Sequence, residues 1–137
     1  MRRAILLLAV MAVMMLMASG VALAVTINGT PGEDFLEGTD GPDTLVGKAG
    51  NDIINGFPGP DRIIGGPGDD VLFEGEDVGE ARDILVGGPG DDILLPGNLP
   101  PGSPDVAICG PGNDTAYADP TDKVIGCETV TFEPPTF

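Results

Sequence analysis

Two nine-residue stretches decide the fold of this chain: GGPGDDVLF, from Gly65 to Phe73, and GGPGDDILL, from Gly87 to Leu95. Each begins with a glycine-rich segment that ends in Asp and continues into three residues with an aliphatic side chain at the centre. Glycine adopts positive φ angles at little cost, so such segments turn tightly, whereas the triplets that follow suit short strands. The two stretches therefore predict a turn and a strand as the repeating unit.

The same pattern extends outward from these stretches with a fixed period. Aspartates recur nine residues apart from Asp34 to Asp70, after which steps of thirteen and nine alternate up to Asp114. An aliphatic residue or Ala follows two positions after each of these aspartates: Leu36, Leu45, Ile54, Ile63, Leu72, Leu85, Leu94, Ala107 and Ala116. A fixed period is typical of a repeat architecture and argues against a disordered Gly- and Pro-rich chain.

These repeats resemble the repeat-in-toxin (RTX) or haemolysin-type calcium-binding nonapeptide, G-G-x-G-x-D-x-U-x, in which U is a large aliphatic residue. GKAGNDIIN, from Gly47 to Asn55, and GTDGPDTLV, from Gly38 to Val46, match it with the second Gly replaced. The resemblance covers roughly Gly29 to Tyr117. It implies an all-β parallel β-roll, a β-solenoid in which two nonapeptides form one coil.

Glycine carbonyls and aspartate carboxylates are hard oxygen ligands that suit Ca²⁺ better than Mg²⁺, because Ca²⁺ accepts six to eight oxygens in flexible geometry. The chain has no His and only two Cys, which argues against zinc or copper. We therefore expect several Ca²⁺ ions. The predicted ligands on one edge of the roll are Asp34, Asn51, Asp52, Asp69, Asp70, Asp91, Asp92, Asn113 and Asp114, and on the other edge Asp43 and Asp61.

The second edge departs from the repeat. Both thirteen-residue steps fall there, carrying residues 74–81 and 96–103, which we expect to project as neighbouring loops. Its aspartates continue through Asp83 and Asp105 to Asp122, but Pro or Arg often precedes them. Either the edge has drifted neutrally or it holds a weaker calcium ladder. Four acidic residues near the first insertion form either an extra cation site or a solvated loop: Glu74, Glu76, Asp77 and Glu80.

The charge of the chain bears on both partners and folding. It has 22 acidic and 6 basic side chains, with a net charge of −16. Nucleic acid and anionic membranes are therefore not expected as partners, because both are polyanions. Aspartates stacked about 4.8 Å apart repel by roughly 0.9 kcal/mol per pair even in water. We expect a largely unfolded chain without calcium, with ion binding supplying the folding free energy.

The first 24 residues resemble an export signal. Arg2 and Arg3 precede an apolar run from Ala4 to Ala18, and Ala22-Leu23-Ala24 has the small-residue cleavage pattern. We expect a signal helix over 1–24 with cleavage after Ala24, then the β-roll over 25–117, and a cap and tail over 118–137. The mature protein would be secreted. An uncleaved membrane anchor is the alternative, since the run from Ala4 to Val25 is long enough to span a bilayer.

The two cysteines, Cys109 and Cys127, are eighteen residues apart, which is one coil of the implied roll. Adjacent coils bring them within reach of a disulfide, and an even number of cysteines in a secreted chain favours pairing over two free thiols. The repeat fails after Tyr117. We therefore predict a Cys109–Cys127 disulfide at a weakly packed end, covered by a capping strand from Val124 to Phe132.

Two other function classes remain open at this stage. Acidic residues can pair in hydrolases, but here they recur as a ladder and no catalytic triad can be assembled without His. An extracellular adhesion or structural module is the stronger alternative. Outward strand positions such as Val71, Ile84, Ile93 and Val106 predict an apolar outer face that could bind a surface or a protein partner, whose identity the sequence does not reveal.

Overall fold

The computed structural model describes residues 23–75, 81–96 and 103–132. These residues form twelve strands of three residues each and no helix. The strands are β1 (Thr26–Asn28), β2 (Phe35–Glu37), β3 (Thr44–Val46), β4 (Ile53–Asn55), β5 (Arg62–Ile64), β6 (Val71–Phe73), β7 (Ile84–Val86), β8 (Ile93–Leu95), β9 (Val106–Ile108), β10 (Thr115–Tyr117), β11 (Lys123–Ile125) and β12 (Thr129–Thr131). The predicted signal helix lies outside the described residues, and no described helix has the length and apolarity to cross a membrane.

Consecutive strands alternate between two parallel sheets, which makes the chain a parallel β-solenoid of about five turns. Sheet A has the order β1-β3-β5-β7-β9-β11, and sheet B has the order β2-β4-β6-β8-β10-β12. The register follows the repeat, with Ile54 opposite Leu72 and Leu72 opposite Leu94 in sheet B. The thirteen-residue steps do not shift this register, because they lengthen the turns and leave the strands intact. The predicted β-roll architecture is confirmed.

The core lies between the two sheets and is one side chain deep. The central residue of each strand points inward, and all nine predicted inward residues from Leu36 to Ala116 are buried. Eight of them, from Leu45 to Ala116, have no solvent-accessible surface. Burying a Leu or Ile side chain stabilises a fold by about 1.5–3 kcal/mol. The core narrows to Ala107 and Ala116 near the C-terminal end, so apolar packing there contributes less.

The outward strand positions do not form the single apolar face that the sequence predicted. Val71 and Ile93 lie on sheet B, whereas Ile84 and Val106 lie on sheet A, on the opposite side of the roll. Consecutive strands belong to different sheets, so outward residues on consecutive strands lie on opposite faces of the roll. Exposed apolar side chains are thus divided between the two faces, with Phe35 65% exposed on sheet B and Ile125 42% exposed on sheet A.

The C-terminal region continues the solenoid. The prediction of one capping strand from Val124 to Phe132 is wrong, because two strands occupy this region. β11 pairs with β9 and β12 pairs with β10, and a three-residue turn separates them. This turn is three residues shorter than the regular turns, so the nine-residue spacing of the repeat is lost although each sheet gains a strand.

Candidate metal centre

The turns of the roll lie on two edges. The first edge holds the turns that lead from sheet A to sheet B, namely residues 29–34, 47–52, 65–70, 87–92 and 109–114. The second edge holds the turns that lead back to sheet A and end at Asp43, Asp61, Asp83, Asp105 and Asp122. We number the six positions of each six-residue turn, on either edge, from 1 to 6, so that position 6 is the Asp that precedes the strand.

One oxygen of each position-6 carboxylate joins neighbouring coils. On the first edge, the backbone N–H of Asp52 donates to Oδ1 of Asp70, and that of Asp70 donates to Oδ1 of Asp92, at 2.8 and 2.9 Å. The second edge has the same ladder, from Asp43 N–H donating to Asp61 Oδ1 to Asp105 N–H donating to Asp122 Oδ1. Both rows of predicted aspartates are therefore brought together. Insertions and missing glycines on the second edge do not break its row.

The first-edge ladder ends on a residue that the sequence analysis missed. Asp114 N–H donates to Oε2 of Glu128 at 2.8 Å. Glu128 lies just before β12, in the place where each earlier coil has its Asp, and its longer side chain spans the shortened turn. Alignment by nine-residue steps could not find it, because the turn is cut to three residues. An acidic residue directly before a Thr-Val-Thr triplet was the available signal.

The second oxygen of the central first-edge carboxylates has no protein partner. Oδ2 of Asp52, Asp70, Asp92 and Asp114 is buried and makes no hydrogen bond. A Cβ on Gly47, Gly65 or Gly87 would collide with Oδ2 of the Asp in the same turn, so the glycine at position 1 leaves room for this oxygen in these three turns. A buried carboxylate oxygen without a donor is costly, and one that recurs on four coils marks a place for a cation.

The backbone of these turns adds further oxygens. Position 2 is left-handed at Lys48, Gly66 and Gly88, with φ of 88°, 120° and 124°. Their N–H groups donate to the position-1 carbonyl of the next coil, at 2.8–2.9 Å. The N–H groups at position 4 likewise donate to the position-3 carbonyl of the next coil. Among the described residues, the carbonyls at positions 2 and 4 of these turns accept no backbone hydrogen bond and point toward the next coil.

The electrostatics of the row favour a bound cation. Burial raises the pKa of Asp70 to about 7 and outweighs the backbone hydrogen bond from Asp52, while the charges of Asp92 and Asp52 add to the rise. Burial likewise raises the pKa of Asp92 to about 6 and also raises the pKa of Asp52. The ionised carboxylates are thus disfavoured in the protein alone, which a nearby cation would reverse.

The predicted position-5 ligands form a separate, outer row. Asn51, Asp69, Asp91 and Asn113 are exposed. Oδ1 of Asn51 accepts the N–H of Asp69, and Oδ1 of Asp69 accepts the N–H of Asp91, at 3.0 and 2.9 Å. These side chains stack along the edge parallel to the buried row. They place charge and amide groups next to the buried carboxylates.

Asp34 and Asp43, the first predicted ligands on each edge, differ from the central row. Thr30 N–H donates to Asp34 Oδ2, and Thr39 N–H donates to Asp43 Oδ2, both at 2.5 Å. The hydroxyl of each Thr donates to the same Oδ2, at 3.1 and 2.9 Å. These two carboxylates therefore have local donors where the central ones have none.

On the second edge, Asp83 and Asp105 meet a side chain from an inserted turn. Glu74 is only 2% exposed, and one carboxylate oxygen each from Glu74, Asp83 and Asp105 lie within 4.8 Å of one another. Asp61 is buried one coil away, where its N–H donates to Asp83 Oδ1. Of the predicted acidic loop cluster, Glu74 thus belongs to the edge itself, while Glu76, Asp77 and Glu80 lie outside the described residues.

A disulfide joins Cys109 and Cys127 across adjacent coils, with a Cα–Cα distance of 5.2 Å. Cys109 is fully buried at position 1 of the last six-residue turn of the first edge. Cys127 lies in the three-residue turn that ends at Glu128. The predicted pairing is confirmed, and it links the two coils where the core is narrowest.

Comparison with known sequences agrees with this geometry. The family model of the RTX calcium-binding nonapeptide repeat (4 copies) matches residues 28–56, 37–72 and 77–98. Neither a curated protein nor a solved structure matches the chain. The matched residues include the first-edge turns that contain Asp52, Asp70 and Asp92. The repeats within residues 28–98 therefore belong to the RTX calcium-binding nonapeptide family.

Proposed function

We propose that this protein is a secreted calcium-binding β-roll that takes up a row of Ca²⁺ ions along its first edge and folds as it does so. The observation that carries this proposal is the row of four buried Oδ2 atoms, on Asp52, Asp70, Asp92 and Asp114, that have no hydrogen-bond partner. RTX repeats in a β-roll are a structural calcium-binding module and not a known enzyme fold.

The donor set supports Ca²⁺ as the ion. Each central turn offers one unpartnered carboxylate oxygen and the carbonyls at positions 2 and 4, which are all hard oxygens. The chain has no His, and its two Cys are joined in a disulfide, so it has no imidazole or thiolate ligand for a metal. Ca²⁺ would supply positive charge between stacked carboxylates, while the protein residues position the oxygens.

Coupling of binding to folding is supported by the balance between core and charge. One inward side chain per strand has to offset buried aspartates on both edges of the central coils. Ionising Asp70 or Asp92 in the folded chain is unfavourable, as their raised pKa values indicate. A cation that binds only the folded roll stabilises it by mass action.

Secretion is supported by the N-terminal segment and by the disulfide. The basic residues, apolar run and Ala-Leu-Ala site of residues 2–24 match an export signal. Disulfides such as Cys109–Cys127 persist in oxidising compartments outside the cytosol. Millimolar extracellular calcium would then load the roll only after export.

A calcium titration of the purified protein tests the proposal. Far-UV circular dichroism should change from a largely disordered spectrum in excess EDTA to a β-rich spectrum in millimolar Ca²⁺, and calorimetry on the same sample should give several ions per chain. Mg²⁺ at the same concentration should produce little folding, because it keeps its waters and requires octahedral geometry. A spectrum that is the same in EDTA and in Ca²⁺ would contradict the folding claim, and no calorimetric binding would contradict the function itself.

A further inference from the structure

The first coil satisfies its carboxylates without an added cation. Asp43 is only 3% exposed, yet Oδ1 accepts the N–H of Val25 at 2.8 Å and Oδ2 accepts both donors of Thr39. Asp34 accepts both donors of Thr30 in the same way. The last second-edge turn is also closed, since Asp119 N–H donates to Asp122 Oδ2 at 2.8 Å. These turns thus already use the carboxylate oxygen that the central turns leave unpartnered.

The difference lies in the backbone at position 2. Thr30 and Thr39 occupy position 2 and have negative φ angles. In this conformation, the N–H of each Thr points at the Asp of its own turn. Lys48 and Gly66 are left-handed there and direct the N–H at the next coil instead. A β-branched residue rarely adopts positive φ. Thr at position 2 therefore selects the conformation that closes the turn on its own carboxylate.

The first turn also receives a cation from the chain itself. Lys48 Nζ donates to the carbonyl oxygen of Gly29 at 2.5 Å, one coil below. In the coils above, the position-1 carbonyls of Gly65 and Gly87 accept an N–H from position 2 of the preceding coil. The Lys48 ammonium thus brings positive charge to the first-edge turn that has no such coil before it.

We infer that the residue at turn position 2 determines whether a first-edge turn takes up calcium, and that the Thr turns of the first coil form a calcium-free cap on the ion row. This inference rests on the proposed calcium binding and adds where the row ends. Turns with a left-handed residue at position 2 leave the buried Oδ2 without a donor and available to an ion. Turns with Thr at position 2 use their own N–H and hydroxyl to occupy it.

Paired variants at two positions of the full chain test this assignment. Thr30→Gly allows positive φ and removes the hydroxyl, so it should bind one more Ca²⁺ per chain than Thr30→Ser, which keeps the donors. Lys48→Thr disfavours positive φ, so it should bind fewer Ca²⁺ than Lys48→Gly. Both Lys48 variants lose the same charge, so charge cannot explain a difference between them. Equilibrium dialysis against CaCl₂, with bound metal measured by atomic absorption, gives the ion count directly.

The ion counts of these variants distinguish a failure of this inference from a failure of the proposed function. The inference requires a higher ion count for Thr30→Gly than for Thr30→Ser. Equal counts for that pair overturn it, even where the unaltered protein binds several ions and the proposed function stands. If Lys48→Thr fails to fold, the Thr30 pair still decides, because both of its members keep every central turn. An unaltered protein that binds no calcium would instead overturn the proposed function.

Discussion

The central coils and the first coil of the roll share one pattern of Asp-to-Asp hydrogen bonds, but they differ in the partners of the second carboxylate oxygen. On both edges an Asp Oδ1 accepts the N–H of the Asp one coil earlier. In the central first-edge turns, Oδ2 is buried without a hydrogen-bond partner. In the first coil, Oδ2 of Asp34 has two donors from Thr30, and Oδ2 of Asp43 has two donors from Thr39. The comparison assigns stacking between coils to Oδ1 and leaves Oδ2 for the proposed cation binding.

The ladder itself does not need the glycines of the repeat. Asp105 N–H donates to Asp122 Oδ1 and Asp105 Oδ1 accepts the N–H of Asp83, although Ser103 stands where the repeat has Gly. The first edge repeats a position-1 glycine and a left-handed position-2 residue at 47–48, 65–66 and 87–88. The second edge has this pair at Gly56 and Phe57, but Glu74 and Pro96 follow its next two strands in place of the glycine. The Asp pattern thus specifies the solenoid, and the glycine pattern specifies the proposed ion row.

The largest effect is expected for Asp70→Asn. The amide oxygen can still accept the N–H of Asp52, but the amide nitrogen replaces the unpartnered Oδ2 and removes both a ligand and a charge. Calcium-induced folding should therefore require about 10- to 100-fold more Ca²⁺. A circular dichroism titration measures the shift.

Asp69→Asn is the matched control for that substitution, since it removes the same charge from the exposed position of the same turn. It should shift the calcium midpoint much less than Asp70→Asn. Equal shifts would show that overall charge, and not the buried Oδ2, controls calcium loading.

The disulfide gives the next effect and separates the centre of the first edge from its C-terminal end. Replacing both Cys109 and Cys127 with Ser should lower the free energy of unfolding by about 3 kcal/mol, because the cross-link closes a loop of this length. The loss should concentrate where the core narrows to Ala107 and Ala116. Amide hydrogen exchange in Ca²⁺ should show β11 and β12 losing protection while β4 and β6 keep theirs. Uniform loss along the roll would argue against a local cross-link at a weak end.

A smaller effect is expected for Asp43→Asn on the second edge. An amide nitrogen in place of Oδ2 would face the N–H of Thr39 as a second donor, so a buried hydrogen bond is lost. The calcium-loaded protein should lose about 1–3 kcal/mol of stability in urea unfolding. Its ion count should stay at the wild-type value, in contrast to Asp70→Asn. A reduced ion count would place Asp43 among the calcium ligands.

The smallest effect is a pH dependence in EDTA. Folding raises the pKa of Asp70 to about 7 and that of Asp92 to about 6, above the usual value for Asp. Between the usual Asp pKa and these raised values, the folded chain therefore binds more protons than the unfolded chain. Their contribution to stability is full below about pH 4 and is lost as the pH rises through 6 to 7. Lowering the pH from 7.5 to 5.5 should therefore increase the folded fraction measured by circular dichroism.

The double variant Asp70→Asn/Asp92→Asn should show a weaker pH response in EDTA over the same range, because the two groups that titrate there are gone. A response of the same size in the variant would assign the pH dependence to the general negative charge of the chain. In the presence of Ca²⁺ the sign reverses for the unaltered protein, since protons compete for the same oxygens.

Much of this fold could be predicted because each repeat carries two independent signals of it. The period of the aspartates gives the register, and the aliphatic residue two positions later gives the core, as Leu72 and Leu94 show. The Cys109–Cys127 pair followed from the length of one coil. These features depend on spacing along the chain, which the sequence displays directly.

Other features depend on side-chain and backbone conformation, which spacing does not convey. Glu128 takes the place of an Asp after a shortened turn, so the last pair of strands was not foreseen. Thr30 and Lys48 both replace the second Gly of the repeat, yet one closes its turn and the other is left-handed. Glu74 was predicted as part of a loop cluster, but it lies buried beside Asp83 and Asp105. Physical chemistry of single residues, and not the period, decides each of these cases.

The separate roles of Oδ1 and Oδ2 are tested most directly by a crystal structure of the calcium-loaded protein, with ion positions fixed by the anomalous signal of calcium. The account predicts ions about 2.3–2.6 Å from Oδ2 of Asp52, Asp70, Asp92 and Asp114, with the Oδ1 ladder unchanged and no ion at Asp43. Ions on Oδ1, or an equally occupied site at Asp43, would contradict it.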